Sequence, residues 1–131
     1  MSVRIVRLGS PRRRGEGLRL GTVRHPPRGV PKAEFAKRDF YDLWLPTLAP
    51  SQDLLRASGG GGDVSQAWPA FARGYRTEMK APAAAQLLEL LAALSHTTNF
   101  SVGCYCEAET YCHRSILREL LAERSARLAA T

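Results

Sequence analysis

Apolar residues alternate with polar or small ones over residues 18–23, and residues 3–8 are rich in β-branched residues, so both segments are predicted to be β-strands. The intervening residues 9–17 contain three glycines, one proline and three arginines, which predicts a basic loop. The two strands could pair antiparallel across this loop as a hairpin. A short strand is predicted over residues 41–45, and a longer, more apolar strand over residues 99–106.

Apolar residues recur with helical spacing later in the chain and predict three longer helices, over residues 65–79, 82–95 and 112–128. The aromatic stripe of the first of these helices is expected to belong to the core. A shorter helix is predicted over residues 32–38. A strand that follows a long apolar helix is typical of a parallel crossover unit. The pattern therefore predicts a single α/β domain over residues 1–131, with a small mixed sheet flanked by helices.

Length and composition support one globular domain, because the 131 residues are 44% hydrophobic and 24% charged. Residues 58–63 contain four glycines without the Lys-Ser/Thr ending of a P-loop, which predicts a flexible loop. No apolar run approaches the ~20 residues that a membrane span needs. The first residues lack the apolar core of a signal peptide, and the three cysteines are clustered rather than spread as in a secreted disulfide framework. We therefore expect a cytoplasmic protein with no membrane partner.

Positive charge is concentrated in the first third of the chain. The formal net charge is +7, with 11 Lys/Arg and 3 Asp/Glu in residues 1–40 against 8 and 9 in the remainder. A basic segment attracts polyanions through counterion release. Residues 12–14, three consecutive arginines, are either a solvated loop or part of a surface that faces an anion. Nucleic-acid contact through residues 4–38 is one form of the second interpretation.

The side chains best suited to catalysis or ligand binding are concentrated in the segment 104–115, where a predicted strand leads into the last helix. Ligands of open α/β sheets bind beyond the carboxyl ends of the strands, and the free amides of a helix N-terminus favour an anion. There Arg114 offers a guanidinium fork, and Ser115 a hydroxyl, to a phosphate or carboxylate. Cys112 lies beside His113 and Arg114, an environment that favours its thiolate. We therefore predict Cys112 as a nucleophile and His113 as a general acid or base.

Two other interpretations of these residues stay open. Zinc accepts sulfur and imidazole nitrogen, so there are four potential ligands in C-x-C-x5-C-H spacing: Cys104, Cys106, Cys112 and His113. This spacing fits none of the usual zinc-finger patterns, although two cysteines separated by one residue share a face of a strand. Alternatively, the cysteines are small buried hydrophobic residues. We expect no cofactor. Under the zinc interpretation, zinc is the one cofactor that these residues would hold.

A second cationic segment leaves the end of the second predicted strand. Arg24, His25 and Arg28 lie in a turn that prolines make rigid. If the two strand ends are parallel neighbours, these side chains face the same cleft as Arg114 and contact the ligand; otherwise they are surface charges. Tyr111 is expected to border the pocket as a hydrophobic lid.

These residues together predict a protein that binds an anionic small molecule, with a phosphate or carboxylate, at the start of the last helix. Hydrolase or transferase chemistry is the first expectation for an enzyme built this way. The alternative is a non-enzymatic basic module that contacts nucleic acid through residues 4–38, with a zinc ion at the cysteines.

Three stretches of the chain resemble the YeaO-like family of small bacterial proteins, a domain of unknown function. They are the turn at residues 24–32, the run at residues 41–51 and the cysteine–histidine–arginine helix start within residues 104–115. The resemblance implies a compact α/β domain of Rossmann-like layout, and it implies no particular reaction. Its implied pocket positions are Arg24, Arg28, Cys112, His113 and Arg114.

Overall fold

Four short strands form one parallel sheet in the computed structural model, which describes residues 1–58 and 64–130. The spatial order is β1-β4-β2-β3, and every pairing among these strands is parallel. The strands are β1 (Val3–Arg7), β2 (Leu18–Gly21), β3 (Leu43–Trp44) and β4 (Phe100–Cys104). In the registers of both pairings of β4, Phe100 lies opposite Val3 of β1 and opposite Leu18 of β2. The predicted α/β class is confirmed.

The predicted antiparallel hairpin is wrong, and so is the mixed sheet that it would create. Strands β1 and β2 lie on either side of β4 and run parallel to it. The residues between them form no hairpin turn, because β4 separates the two strands, and the buried Arg19 guanidinium ties this loop to the sheet. Its Nη1 donates to the Ser10 carbonyl oxygen at 2.8 Å, and its Nε donates to Glu16 at 2.8 Å. The chain thus returns to the other end of the sheet before β2 begins.

The three longer helices follow the predicted apolar periodicity, whereas the short helix predicted over residues 32–38 is wrong, since only a single 3-10 turn forms there. The helices are α1 (Gln52–Ser58), α2 (Val64–Glu78), α3 (Pro82–Leu94) and α4 (His113–Glu123), with single 3-10 turns at Lys32–Glu34 and Pro46–Leu48. The last helix ends earlier than predicted, because Ser125 adopts a positive φ of 62° and Leu128 forms an isolated bridge with Val3. None of the described helices is both long enough and apolar enough to cross a bilayer.

The predicted glycine-rich loop over residues 58–63 is described only at its first residue. Ser58 ends α1, and the other residues of that run lie outside the part of the chain that the structure describes.

The helices pack against one set of alternating strand residues, since side chains along a strand point to opposite faces. The main core joins α2, α3 and α4 to this face through Val3, Ile5, Leu20, Phe100 and Val102. The other face carries polar groups, and there the buried Arg19 and Ser101 side chains both bond to Glu16. Gly21 also faces this side, where an added Cβ would lie 2.4 Å from the Tyr41 ring. Loop residues therefore cover this face of the sheet.

Candidate functional site

The carboxyl ends of the parallel strands lie at one edge of the sheet, which is where open α/β sheets bind ligands. Strand β4 ends at Cys104, and α4 begins at His113. Strand β2, which is the neighbour of β4 in the sheet, ends at Gly21, and the chain continues from there into residues 22–28. The condition set from the sequence, that these two strand ends are parallel neighbours, is therefore met.

Three thiols meet at this edge, and we call Cys104, Cys106 and Cys112 the cysteine cluster. Their Sγ atoms all lie within 4.8 Å of one another, and those of Cys104 and Cys106 are 3.8 Å apart. A tetrahedral zinc ion with Zn–S bonds of about 2.3 Å holds its sulfurs about 3.8 Å apart. The cluster could therefore bind a metal ion. Cys104 and Cys112 are buried, whereas Cys106 is exposed.

No ring nitrogen of His113 lies within 4.8 Å of all three sulfurs, so the structure brings together three of the four predicted zinc ligands. Its Nε2 lies 2.7 Å from the carbonyl oxygen of Thr22. Because a carbonyl oxygen only accepts hydrogen bonds, this contact places the hydrogen of the neutral ring on Nε2. The other ring nitrogen, Nδ1, lies 4.0 Å from Sγ of Cys112. A ring that also carries a proton on Nδ1 is cationic and faces Cys112, and it is this form of His113 that favours the Cys112 thiolate.

Arg114 lies behind the cysteine cluster and is only 4% exposed. Its Nε donates to Sγ of Cys112 at 3.5 Å, and its Nη2 donates to the carbonyl oxygen of Cys106 at 2.7 Å. No carboxylate of the described residues pairs with it. A buried cation requires a nearby negative group, and the Cys112 thiolate is in contact. This geometry directs Arg114 to the thiolate, not to the wall of the cavity described below.

The cluster concentrates negative charge on one sulfur. Hydrogen bonds from Cys104 and Cys106, together with the contact to His113, hold the pKa of Cys112 well below its ordinary value, although burial opposes this. The pKa of Cys104 is raised by its hydrogen bonds with the other two thiols and by burial. The pKa of Cys106 is also raised, because the hydrogen bond with Cys112 and burial outweigh the lowering effect of Cys104. The favoured state is one thiolate, on Cys112, with two thiols beside it.

The turn before α4 fixes the position of this thiolate. Cys112 is the N-cap residue of α4, with extended backbone dihedrals. Tyr111, the residue before it, has a φ of 61°, which is costly for a residue other than glycine and is concentrated at functional sites. Ser115, predicted to contact an anion, donates its hydroxyl to the Cys112 carbonyl oxygen at 2.9 Å. Its observed role is to close the first turn of the helix.

A cavity of about 620 Å³ opens beside the cysteine cluster, within the size range of small-molecule sites. All three cysteines and His113 line it. The rest of the wall is largely apolar and includes five aromatic side chains: Phe40, Trp68, Phe71, Tyr105 and Tyr111. The expectation that Tyr111 borders the pocket is therefore confirmed.

The second cationic segment also lines this cavity, but its three side chains are engaged differently. Arg24 donates from Nε to the Pro50 carbonyl oxygen at 3.0 Å and so ties the strand end to the start of α1. Nε2 of His25 lies 2.7 Å from the side-chain oxygen of Gln52. Arg28 is exposed and has no hydrogen-bond or ion-pair partner within the described part of the chain. Arg28 is therefore the arginine whose donors are available to a ligand.

Trp68 and Phe71 belong to the aromatic stripe that was predicted to lie in the core, and they were not predicted at the site. Both pack against the core, and both also line the cavity. Their rings stack with centroids 5.6 Å apart, and Tyr111 meets Trp68 edge-on at 5.8 Å. Helical spacing alone cannot separate a core stripe from a cavity wall, since both require apolar residues on one face of the helix.

The family model DUF488-N3a, described as the active DUF488-N3 subclade, matches residues 3–125. This span includes the whole sheet, the cysteine cluster and α4. No curated protein and no solved structure matches the chain significantly.

Proposed function

The chain belongs to the DUF488 family, in the subclade DUF488-N3a that is described as active, and from this premise we propose that it is a thiol-dependent enzyme with Cys112 as its nucleophile. YeaO is a member of the same family, so the resemblance found in the sequence is confirmed. The family is a domain of unknown function, and the reaction is therefore argued from the site alone.

The observation that carries the proposal is the placement of the Cys112 sulfur. It lies at the N-terminus of α4 on the wall of a ligand-sized cavity, and it accepts a hydrogen bond from the buried Arg114. Helix amides, a guanidinium and neighbouring S–H donors all stabilise a thiolate, which is the nucleophilic form of cysteine. A merely structural cysteine needs none of these groups.

The arrangement supports hydrolase or transferase chemistry. Sγ of Cys112 attacks an electrophilic carbon or phosphorus of the ligand, and the leaving group departs with its electron pair. A water molecule, or an acceptor hydroxyl or amine, then displaces the sulfur and restores the thiolate. His113 lies beside Sγ with Nδ1 free to accept a proton. It is the group placed to take a proton from the attacking water and to give one to the leaving group.

In this proposal, the anionic group of the ligand binds at the mouth of the cavity. Arg28 offers unpaired donors there, and His25 lies in the same turn. Arg114, Arg24 and Ser115 support the site from behind, because their donors are already bonded to protein atoms.

Alkylation of the full chain tests the nucleophile. Treatment of the chelator-washed protein with iodoacetamide at about pH 6, where an ordinary cysteine is almost fully protonated, is expected to modify Cys112 first. Peptide mass spectrometry identifies the modified residue. Hydrolysis of p-nitrophenyl acetate and p-nitrophenyl phosphate then serves as the activity readout. Turnover of either probe is expected in the wild type and in Cys106→Ser, and none above buffer in Cys112→Ser. Equal turnover in Cys112→Ser would overturn the proposal.

A zinc site is a second candidate function, and the mutual distances of the three sulfurs favour it. Three thiolates and one open position are typical of a site that keeps a place for water or substrate. In this case Cys112 is a metal ligand and not a nucleophile. The two candidates make different predictions for untagged protein purified without chelator. The zinc candidate predicts about one zinc per chain by elemental analysis, with loss in Cys104→Ser. Metal content near zero in the wild type excludes it.

A further inference from the structure

The cavity beside the cysteine cluster pairs cationic groups with an otherwise apolar wall. Arg24, His25, Arg28 and His113 line it, and none of its described lining residues is Asp or Glu. Of the two arginines, Arg28 has no partner among the residues that the structure describes. Charge complementarity therefore favours a ligand with a negative group near Arg28.

The apolar part of the cavity wall contains aromatic side chains whose rings pack against one another. Trp68 and Phe71 stack with an interplanar angle of 25°, and Tyr111 closes against Trp68 edge-on. A second aromatic pair, Phe40 and Tyr105, has ring centroids 6.2 Å apart. Aromatic faces and edges pack best against another flat ring, and each such contact adds to the burial of apolar area.

We propose that the ligand of this cavity is an aromatic or heteroaromatic molecule that carries one phosphate or carboxylate group. The ring packs against Trp68 and Phe71, and the anionic group binds at Arg28. This inference rests on the proposed function for the role of Cys112 and adds the substrate class.

A small inorganic anion does not meet the same requirements. It would leave most of a 620 Å³ cavity with an apolar wall in contact with water. A neutral ring would cover the apolar wall but leave Arg28 without a counter-charge. Only a ligand with both parts satisfies both features of the wall, because apolar burial and charge pairing then act on one molecule.

Isothermal titration with three matched probes tests this inference. Phenyl phosphate has the ring and the anion, ethyl phosphate has the anion alone, and phenol has the ring alone. We expect phenyl phosphate to bind the full chain at least about tenfold more tightly than either partial probe. A tenfold difference corresponds to roughly 1.4 kcal/mol, at the lower end of what a charge-assisted hydrogen bond contributes.

Two substitutions locate the two halves of the ligand. Arg28→Gln is expected to remove the advantage of phenyl phosphate over phenol and to leave phenol binding unchanged. Trp68→Leu is expected to remove its advantage over ethyl phosphate. Arg13→Gln, an exposed arginine outside the cavity lining, is the matched control and leaves all three affinities unchanged. Thermal unfolding of each variant shows whether it is folded, and Phe71→Leu replaces Trp68→Leu if the latter is not.

The outcomes separate this inference from the proposed function. Equal affinity for ethyl and phenyl phosphate, or for phenol and phenyl phosphate, would overturn the substrate class. So would a failure of all three probes to bind a protein whose Cys112 is reactive, and the nucleophile would then stand. Tight binding of phenyl phosphate to both wild type and Cys112→Ser, without any slowing of Cys112 alkylation, would support the ligand class and overturn the proposed function.

Discussion

Arg114 and Cys112 form a pair in which each buried group satisfies the other. The guanidinium is nearly inaccessible and donates to the sulfur, and the sulfur has a lowered pKa. A second donor of Arg114 binds the Cys106 carbonyl oxygen and so positions another member of the cysteine cluster. One residue thus joins the electrostatics of the site to the conformation of the loop before α4.

Replacement of Arg114 with methionine should weaken both the stabilisation of the Cys112 thiolate and the fixed position of the loop before α4. We expect the pKa of Cys112 to rise, so that the pH profile of its alkylation rate shifts toward higher pH. The unpaired Cys106 carbonyl oxygen should cost about 1–3 kcal/mol in the free energy of unfolding. The measurements are an alkylation-rate profile against pH and a urea titration. Arg118→Met is the control: Arg118 lies on the same helix as Arg114 and pairs with Glu109 of the preceding loop, partly exposed, and its loss should leave the profile unchanged.

The buried ion pair between Glu16 and Arg19 should make stability depend on pH. Hydrogen bonds from Arg19, the Arg13 amide and Ser101 hold the pKa of Glu16 below its ordinary value of 4.5, although burial opposes them. A carboxyl group with a lowered folded-state pKa stabilises the fold fully above its ordinary pKa, and this contribution is lost as the pH falls through the lowered value. We expect urea midpoints of wild type to fall more steeply below about pH 4.5 than those of the Glu16→Gln/Arg19→Met double variant.

The single variant Arg19→Met leaves a buried carboxylate without its partner, which should cost about 3–5 kcal/mol at neutral pH. Arg56→Met is the matched control, since the Arg56–Asp53 pair is exposed and should contribute less than about 1 kcal/mol. A similar loss in both variants would contradict the assigned role of burial.

At the scale of elements, the register of β2 on β4 depends on a close backbone approach. Gly17, just before β2, has a φ of 81°, and an added Cβ would lie 1.9 Å from the carbonyl oxygen of Asn99. Asn99 directly precedes β4, so this contact lies where both strands begin. Only glycine allows this approach with a positive φ. The same register places the end of β2 beside the cysteine cluster.

Two glycine substitutions separate backbone strain from steric conflict. Gly15 has a similar φ of 76°, but no atom lies within 4 Å of an added Cβ. We expect Gly15→Ala to cost about 1 kcal/mol for strain alone, and Gly17→Ala to cost at least about 2 kcal/mol more, since backbone atoms must move apart. Denaturant unfolding measures both values, and equal losses would show that the contact with Asn99 does not constrain the strands.

At the scale of the whole molecule, the basic first third is less available than its charge count indicates. Arg19 is buried with Glu16, Arg12 pairs with Asp42, and Arg7 lies 3.8 Å from Glu107. Arg13 and Arg14 are exposed and, within the described residues, have no carboxylate partner. The segment therefore combines arginines that hold the fold with arginines that face solvent.

Nucleic-acid contact through residues 4–38 stays a prediction, and salt dependence is its test. Binding to a random duplex would be weak and would fall as salt rises, because phosphate contacts release counterions. We expect the Arg13→Gln/Arg14→Gln variant to reduce the slope of log affinity against log salt by about 1.8, or about 0.9 for each lost contact. A slope that is already near zero in wild type would exclude this partner. Arg56→Gln, elsewhere on the surface, is the control.

The types of residue at the site were largely predictable from the sequence. Little of their arrangement in space was predictable. The cysteine–histidine–arginine motif and its position at a helix start follow from local pattern, and the structure agrees. The separate roles of Arg24, Arg28 and Arg114 were not predictable, because all three are arginines near a strand or helix end. Only the folded chain shows which guanidinium is bonded to carbonyl oxygens, which to the thiolate, and which is unpaired.

The sequence by itself determined the three longer helices, the strand segments, the α/β class and the concentration of reactive side chains in residues 104–115. These properties depend on periodicity and local composition, which nearby residues set. The tertiary structure decided the parallel strand order, the convergence of three sulfurs and the use of Trp68 and Phe71 as a cavity wall. Strand pairing joins residues nearly a hundred positions apart, as Val3 and Phe100 do. Such contacts depend on the packing of the whole chain, for which a local pattern carries no signal.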